Sequence, residues 1–189
     1  MVSPEDRASR RAVLAGAGAV LGGGAVLALS GCGNSTAVVR NLPRGAKHGD
    51  LALLDRALAL ERYTIAGYTA GIPLLGRQKA KLAQTLLNDE LAHAGELLEL
   101  IDAVRGKPIP RVDNYDLGRP QTEKEVLELL HRLEREQLIL YLDLIPRLTP
   151  GRVRAAVASI FGSDAQHMAL LRLQLKLPPA PSPFVTGSE

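Results

Sequence analysis

From residue 50 onward, apolar residues recur at alternating steps of three and four, the spacing that places side chains on one face of an α-helix. This pattern predicts four helices, at residues 50–73, 77–104, 122–147 and 150–176. Only a few residues join the first two helices, and the same holds for the last two. A Pro-, Gly- and Asp/Asn-rich segment at 106–121 separates the pairs. We therefore predict an all-α antiparallel four-helix bundle, made of two helical hairpins and one long crossover.

Residues at the predicted helix ends support these limits. Thr122 and Glu125 have the spacing of a capping box at the start of the third helix. Pro73 and Pro146 lie where the first and third helices should end, because proline lacks the backbone N–H that continues a helix. The same two positions therefore close the first helix of each hairpin.

The two predicted hairpins resemble each other in sequence. The segment 61–68 matches 134–141, with Glu, Arg and Tyr at corresponding positions and an offset of 73 residues from Glu61 to Glu134. The segment 90–93 (Glu-Leu-Ala-His) matches 164–167 (Asp-Ala-Gln-His) at an offset of 74. Agreement of both helices in the same order indicates an internal duplication of the hairpin.

One carboxylate interrupts the apolar face of each predicted helix. In chain order these residues are Glu61, Glu90, Glu134 and Asp164. His93 follows Glu90 and His167 follows Asp164 by three residues, so each pair shares a helical face. No Lys or Arg lies on these faces. The bundle core is therefore predicted to contain four carboxylates and two imidazoles.

Four ionised carboxylates in one core would repel each other and would lose their hydration. Two divalent cations would balance their four negative charges. Glu90 and His93 can reach one ion and Asp164 and His167 the other, while Glu61 and Glu134 approach from the facing helices as terminal or bridging ligands. The alternative is a metal-free polar network in which the carboxylates hydrogen-bond to protonated histidines.

The order Glu, Glu-x-x-His, Glu, Asp-x-x-His over residues 50–176 resembles the ferritin-like di-metal carboxylate family. This resemblance implies two Fe or Mn ions and redox chemistry, either oxidation of Fe(II) by O₂ or peroxide, or removal of peroxide. Carboxylate-rich sites with few imidazoles suit these metals. Asp164 stands where the family pattern has Glu, which leaves open a metal-free envelope scaffold or interaction module instead of a di-metal oxidoreductase.

Other residues near these faces have secondary roles. Tyr68 and Tyr141 lie two turns beyond the glutamates of their own helices, about 10 Å along the axis, so we expect core packing with a hydroxyl partner or a role around the ligands. His131, one turn before Glu134, is either an outer ligand or a boundary residue. The charged residues that adjoin predicted ligands in sequence are expected to face solvent: Arg62, Asp89 and Arg135.

The first 32 residues have the features of an export signal. Arg10 and Arg11 precede an uncharged Ala- and Gly-rich run at 12–29, which is typical of a twin-arginine signal. The small residues before Cys32 resemble the lipobox of bacterial lipoproteins, with cleavage before Cys32 and lipid on its thiol. The alternative is an uncleaved membrane helix, although the run is near the lower length limit for a span.

These features predict the organisation of the whole chain. A short polar tether at 33–48 follows the signal, the bundle occupies 49–177, and a Pro-rich tail occupies 178–189. We expect the twin-arginine export machinery to carry the protein to the outer face of the cytoplasmic membrane or into the cell envelope. There the lipid on Cys32 would anchor it. The sequence leaves open whether the domain forms a homodimer.

Composition narrows the functional classes further. Aromatic residues make up only 3% of the chain, and the net charge is +3 without a basic stripe, so nucleic-acid binding is not predicted. The single Cys permits neither an intramolecular disulfide nor a Cys-based zinc site. A metal centre in this chain must therefore use oxygen and imidazole nitrogen ligands.

Overall fold

The computed structural model describes residues 48–149 and 151–188. The predicted export signal with Arg10 and Arg11, the lipidated Cys32, and the tether up to residue 47 lie outside these residues. Among the helices that are described, none combines the length and the hydropathy needed to cross a membrane.

The described chain is all-helical, which confirms the predicted fold class. The four α-helices are α1 (His48–Gly71), α2 (Arg77–Ala103), α3 (Glu123–Leu144) and α4 (Gly151–Gln174). Single turns of 3₁₀-helix follow α1 and α3, at Ile72–Leu74 and Ile145–Arg147. These turns hold Pro73 and Pro146, so both α-helices end earlier than predicted, before the residue that cannot donate a backbone hydrogen bond.

The capping box at the start of α3 is confirmed. Thr122 Oγ1 accepts a hydrogen bond from Glu125 N at 3.2 Å, and a Glu125 carboxylate oxygen accepts one from Thr122 N at 3.0 Å. These bonds satisfy backbone donors that have no partner within the helix, which fixes where α3 begins after the crossover.

The crossover between the hairpins follows the outer side of α1. Arg62 Nη1 donates to the carbonyl oxygen of Ile109 at 2.6 Å, and Tyr63 Oη donates to that of Asp116 at 2.6 Å. Arg62 points away from the ligand-bearing face, as expected, and its exposed guanidinium bond holds the crossover against the helix. Within the bundle, α1 packs against α2 and α3, and α4 packs against α3 and α2.

The core consists of two apolar clusters with a polar layer between them. The lower cluster includes Leu54, Leu58, Leu97, Leu100, Leu144, Val153 and Val157. The upper cluster includes Leu86, Leu87, Val126, Leu127, Leu130 and Leu171. On every helix, the carboxylate that interrupts the apolar face lies between the residues of the lower cluster and those of the upper cluster. The apolar residues that bury the bundle therefore also close the polar layer at both ends.

Candidate metal centre

All six predicted ligands meet in the polar layer. Glu61, Glu90, Glu134 and Asp164 are 0% exposed, His167 is 3% exposed and His93 is 7% exposed. Burial of four carboxylates in one small volume is unfavourable unless positive charge accompanies them. The cluster is therefore compatible with a metal site.

The ligand atoms fall into two groups, and within each group they lie within 4.8 Å of one another. One group is Glu61, Glu90 and His93, and the other is Glu90, Glu134, Asp164 and His167. Glu90 belongs to both groups. The sequence paired Glu90 with His93 alone, whereas the structure places its carboxylate between the two candidate ion positions.

Both histidines direct Nδ1 into the cluster. His167 Nδ1 lies 3.0 Å from Glu90 Oε1 and 3.4 Å from Glu134 Oε1, and His93 Nδ1 lies 3.3 Å from Asp164 Oδ1. The two rings stack with centroids 5.8 Å apart. Asp164 Oδ1 is also 4.0 Å from His167 Nδ1, so this shorter side chain still reaches the middle of the cluster.

Several buried ligand atoms have no hydrogen-bond partner among the residues that the structure describes. They are Glu61 Oε2, His93 Nδ1, Glu134 Oε2 and both carboxylate oxygens of Asp164. Buried polar atoms in folded proteins are almost always partnered. Carboxylate oxygens and imidazole nitrogens that converge without donors fit divalent cations, which accept such ligands directly.

The two predicted tyrosines complete the cluster across the hairpins. Tyr68 Oη on α1 donates to Glu134 Oε1 on α3 at 2.5 Å, and Tyr141 Oη on α3 donates to Glu61 Oε1 on α1. Both side chains are buried, and burial together with the neighbouring carboxylates raises the pKa of each phenol well above its ordinary value. Each phenol therefore stays protonated as a donor. The hydroxyl partners were expected, but not that each lies on the other hairpin.

Two further residues belong to the layer and were missed from the sequence. Gln137 Nε2 donates to Glu90 Oε2 at 2.8 Å, and Thr64 Oγ1 donates to Gln137 Oε1 at 3.0 Å. Both are fully buried. Thr64 stands three residues after Glu61, and Gln137 stands three residues after Glu134, so the two are 73 residues apart. In α2 and α4, a His occupies the equivalent position, three residues after the carboxylate. The internal repeat of the sequence could therefore have identified both positions.

Asp89 is a surface residue, as expected, with its side chain 40% exposed, and it also contacts one of the histidines. Its Oδ2 lies 3.4 Å from His167 Nε2, and Ser163 Oγ lies 3.4 Å from the same nitrogen. A carboxylate on the outer nitrogen holds the ring proton there and leaves Nδ1 free to bind a cation. His131 is not in either ligand group, since its Nε2 lies against Arg172 Nη1 at 3.5 Å.

The charges of the cluster depend strongly on one another. Burial, reinforced by Glu90, raises the pKa of Glu134 to about 8 and the pKa of Glu61 well above its ordinary value. Burial also raises the pKa of Asp164 to about 6. Burial alone would lower the pKa of His167, but its contacts with Glu134 and Glu90 raise it to about 11. Burial likewise opposes ionisation of Glu90, yet the hydrogen bonds from His167 and Glu61 keep its pKa below the ordinary value. Without cations, protons would therefore supply part of the missing positive charge.

Two grooves flank the crossover but do not reach the cluster. One, of about 560 Å³, lies between the crossover and α1 and α2, and the other, of about 640 Å³, lies between the crossover, α1 and α3. None of the six ligands lines either groove. Neither groove therefore gives an organic substrate direct contact with the ligand atoms.

Comparisons with known proteins agree with this architecture. A family model described as a ferritin-like domain matches residues 49–177, which contain all six ligands. The chain is also similar to the crystal structure of a conserved hypothetical protein from Mycobacterium tuberculosis, with a TM-score of 0.65 and 17% sequence identity. That similarity covers 69% of this chain and 99% of the other, and at this identity it concerns the fold alone. No match was found among curated proteins.

Proposed function

The chain belongs to the ferritin-like domain family, and we propose that its buried cluster binds two Fe or Mn ions and serves redox chemistry in the cell envelope. The observation that carries this proposal is the set of buried, unpartnered ligand atoms on Glu61, His93, Glu134 and Asp164. Four carboxylates and two imidazoles are hard and borderline ligands, which favour Fe and Mn over copper or structural zinc.

The ions would be held by two unequal groups. Glu61, Glu90 and His93 would hold one, and Glu90, Glu134, Asp164 and His167 the other. When bound, two Fe(II) or Mn(II) ions would supply the two electrons that reduce O₂ to peroxide or peroxide to water, each ion being oxidised to the trivalent state. The four carboxylates balance the charge of two divalent cations, so the filled layer would be electrically neutral.

The protein residues around the ions position the ligands and control water. Gln137 fixes one oxygen of Glu90, and Asp89 fixes the orientation of the His167 ring. Tyr68 and Tyr141 hold one oxygen each of Glu134 and Glu61. The apolar clusters above and below the layer exclude water, which strengthens every electrostatic contact within it.

We further propose that the bundle is exported by the twin-arginine machinery and anchored through Cys32 at the outer face of the cytoplasmic membrane. The support is the Arg10-Arg11 pair, the uncharged run at 12–29 and the small residues before Cys32. Fractionation of a bacterial host that expresses the full chain tests this. Arg10→Lys/Arg11→Lys should retain the protein in the cytoplasm, and Cys32→Ala should release the exported protein from the membrane.

Elemental mass spectrometry of the full chain, purified without chelator, tests the metal centre. We expect about two equivalents of Fe or Mn per chain, lost in a His93→Ala/His167→Ala double variant and retained in His131→Ala. His131 is the matched control, because it lies outside both ligand groups. One equivalent would indicate that Asp164 weakens its half of the site.

Absence of metal after reconstitution with Fe(II) and Mn(II) would contradict the proposal and favour a metal-free envelope scaffold. In such a protein the contacts of His167 with Glu90 and Glu134 would form a network of protonated imidazole and carboxylate. Reaction of the reconstituted protein with O₂ and with peroxide then separates an oxidase from a peroxidase.

A further inference from the structure

A second group of polar residues lies between α3 and α4 outside the metal centre. Arg172 Nη1 on α4 lies 3.5 Å from His131 Nε2 on α3. Arg135 follows His131 by four residues, so the two share one face of α3. We call these three residues the cationic group.

The cationic group has no acidic partner in the described part of the chain. Arg172 is only 8% exposed, and its Nε donates to the carbonyl oxygen of Pro178 at 2.7 Å. Arg135 Nε is buried and has no hydrogen-bond partner. Burial, followed by the charges of Arg172 and Arg135, lowers the pKa of His131, and no carboxylate opposes that effect. Two guanidiniums thus act on one imidazole, and among the described residues no ion pair joins either of them to a carboxylate.

Two other arginines of the bundle are paired with a carboxylate. Arg56 and Arg147 both pair with Asp143, with nitrogen–oxygen distances of 3.3 Å and 2.8 Å. These pairs are exposed, where an ion pair contributes little. Arg172 is buried, where an unbalanced charge is far more costly. A bound anion would remove that cost.

We propose that His131, Arg135 and Arg172 bind a small oxyanion of the phosphate class. A guanidinium presents parallel N–H donors that match two oxygens of such an anion. Pro178 O fixes the plane of the Arg172 guanidinium, and Arg172 Nη1 faces Nε2 of the neutral His131 ring, which leaves Nδ1–H as a further donor. The group therefore offers an anion the unpartnered Nε of Arg135, the remaining Nη hydrogens of Arg172 and the Nδ1–H of His131.

The C-terminal segment favours a small ligand over a macromolecule. It meets α4 where Pro178 accepts from Arg172, and it returns to α3 where a Cβ on Gly187 would overlap Ile139. Ile139 lies one turn beyond Arg135 on the same face. The segment thus borders the cationic group at both ends, which restricts access for a large partner.

Titration calorimetry of the full, metal-free chain with inorganic phosphate at constant ionic strength tests the site. We expect one equivalent to bind, and Arg135→Gln to weaken binding about tenfold or more. Arg135→Lys, which keeps the charge but not the paired donors, should weaken it less. Arg132→Gln is the matched control, because Arg132 is exposed on the same helix, and it should change the affinity less than about twofold.

Three results would overturn the proposal. The first is no binding of phosphate. The second is equal weakening by the Arg132 and Arg135 variants, which would indicate diffuse attraction to a basic protein. The third is binding to vesicles that contain phosphatidic acid without binding of free phosphate, which would make the group a membrane contact. Retention of phosphate binding in the His93→Ala/His167→Ala variant keeps this test separate from that of the metal centre.

Discussion

Gln137 Nε2 donates a 2.8 Å hydrogen bond to Glu90 Oε2, and this contact fixes the one carboxylate that both candidate ion positions share. Thr64 in turn fixes Gln137 by donating to its amide oxygen at 3.0 Å. The amide therefore presents its nitrogen to Glu90 in a single orientation. Glu90 Oε1 is left to face His167, 3.0 Å away.

Gln137→Leu should weaken metal binding. The leucine keeps the volume but removes the only donor to Glu90 Oε2 that comes from α3, so the shared carboxylate loses its fixed orientation. We expect the affinity for Mn(II) to fall about 10- to 100-fold, as for other residues that orient ligands. Competition with a chromophoric chelator measures this. Thr64→Val should cost less, because the bond from Gln137 to Glu90 remains, and wild-type affinity in Gln137→Leu would contradict the role assigned to the amide.

Asp89→Ala should affect one ion more than the other. Asp89 Oδ2 lies 3.4 Å from His167 Nε2, and Asp89 belongs to neither ligand group itself. We expect the affinity of the His167 group to fall about 10- to 100-fold while the His93 group changes little. Two-step Mn(II) titration resolves the two ions. Glu99→Ala removes an exposed carboxylate from the same helix and should leave both steps unchanged; a uniform loss in both steps of Asp89→Ala would point to misfolding instead.

The metal-free protein should lose stability as the pH rises from about 5 to about 8. In the folded state the pKa of Glu134 is raised from 4.5 to about 8, that of Asp164 from 3.8 to about 6, and that of His167 from 6.5 to about 11. The folded state therefore binds more protons than the unfolded state across this range, so stability falls as protons are lost. The lowered pKa of Glu90 acts in the opposite direction, but only below its ordinary value of 4.5.

Thermal unfolding after metal removal measures this pH dependence. Glu134→Gln, which is neutral at every pH, should flatten it, and bound metal should flatten it further because cations replace the protons. A metal-free protein that melts at the same temperature at both ends of the range would argue against a buried, coupled cluster.

Tyr141→Phe and Tyr68→Phe should each destabilise the metal-free protein. Each change leaves a buried carboxylate oxygen, on Glu61 or Glu134, without its hydroxyl donor. We expect the free energy of unfolding to fall by about 1–3 kcal/mol in urea. Tyr63→Phe is the matched control, since its hydroxyl bonds an exposed crossover carbonyl, and it should cost no more than about 1 kcal/mol. An equal loss of unfolding free energy in all three variants would mean that the hydrogen bonds of the buried phenols to Glu61 and Glu134 stabilise the protein no more than the exposed bond of Tyr63.

Gly67→Ala should destabilise the bundle, because a Cβ at this position would overlap Leu133 Cδ1 where α1 and α3 approach closely. Overpacking of this kind costs about 1–3 kcal/mol. Gly95→Ala is the matched control on α2, where a Cβ meets nothing within 4 Å. It should stabilise the protein by up to about 1 kcal/mol, because alanine favours helix over glycine. Urea unfolding compares the two, and a shift of the same sign in both would contradict the close approach at Gly67.

The sequence alone determined the four helices, their pairing as hairpins and the six candidate ligands. Helical period, proline positions and the capping box are local properties of the chain, so they need no knowledge of neighbouring helices. A carboxylate on an otherwise apolar face is also visible locally, and its recurrence in both hairpins distinguished Glu61, Glu90, Glu134 and Asp164 from ordinary surface acids.

Only the tertiary structure decided which side chains meet across helices. That Glu90 is shared by both ligand groups, that Tyr141 bonds to Glu61 on the other hairpin, and that Asp89 reaches His167 all depend on the rotation and approach of packed helices. The helical period assigns a residue to one face of its own helix. A contact of about 3 Å between side-chain atoms of two helices depends on how the helices pack against each other. Asp89, at the edge of a face, is therefore both exposed to solvent and in contact with His167, and the helical period shows only the first of these.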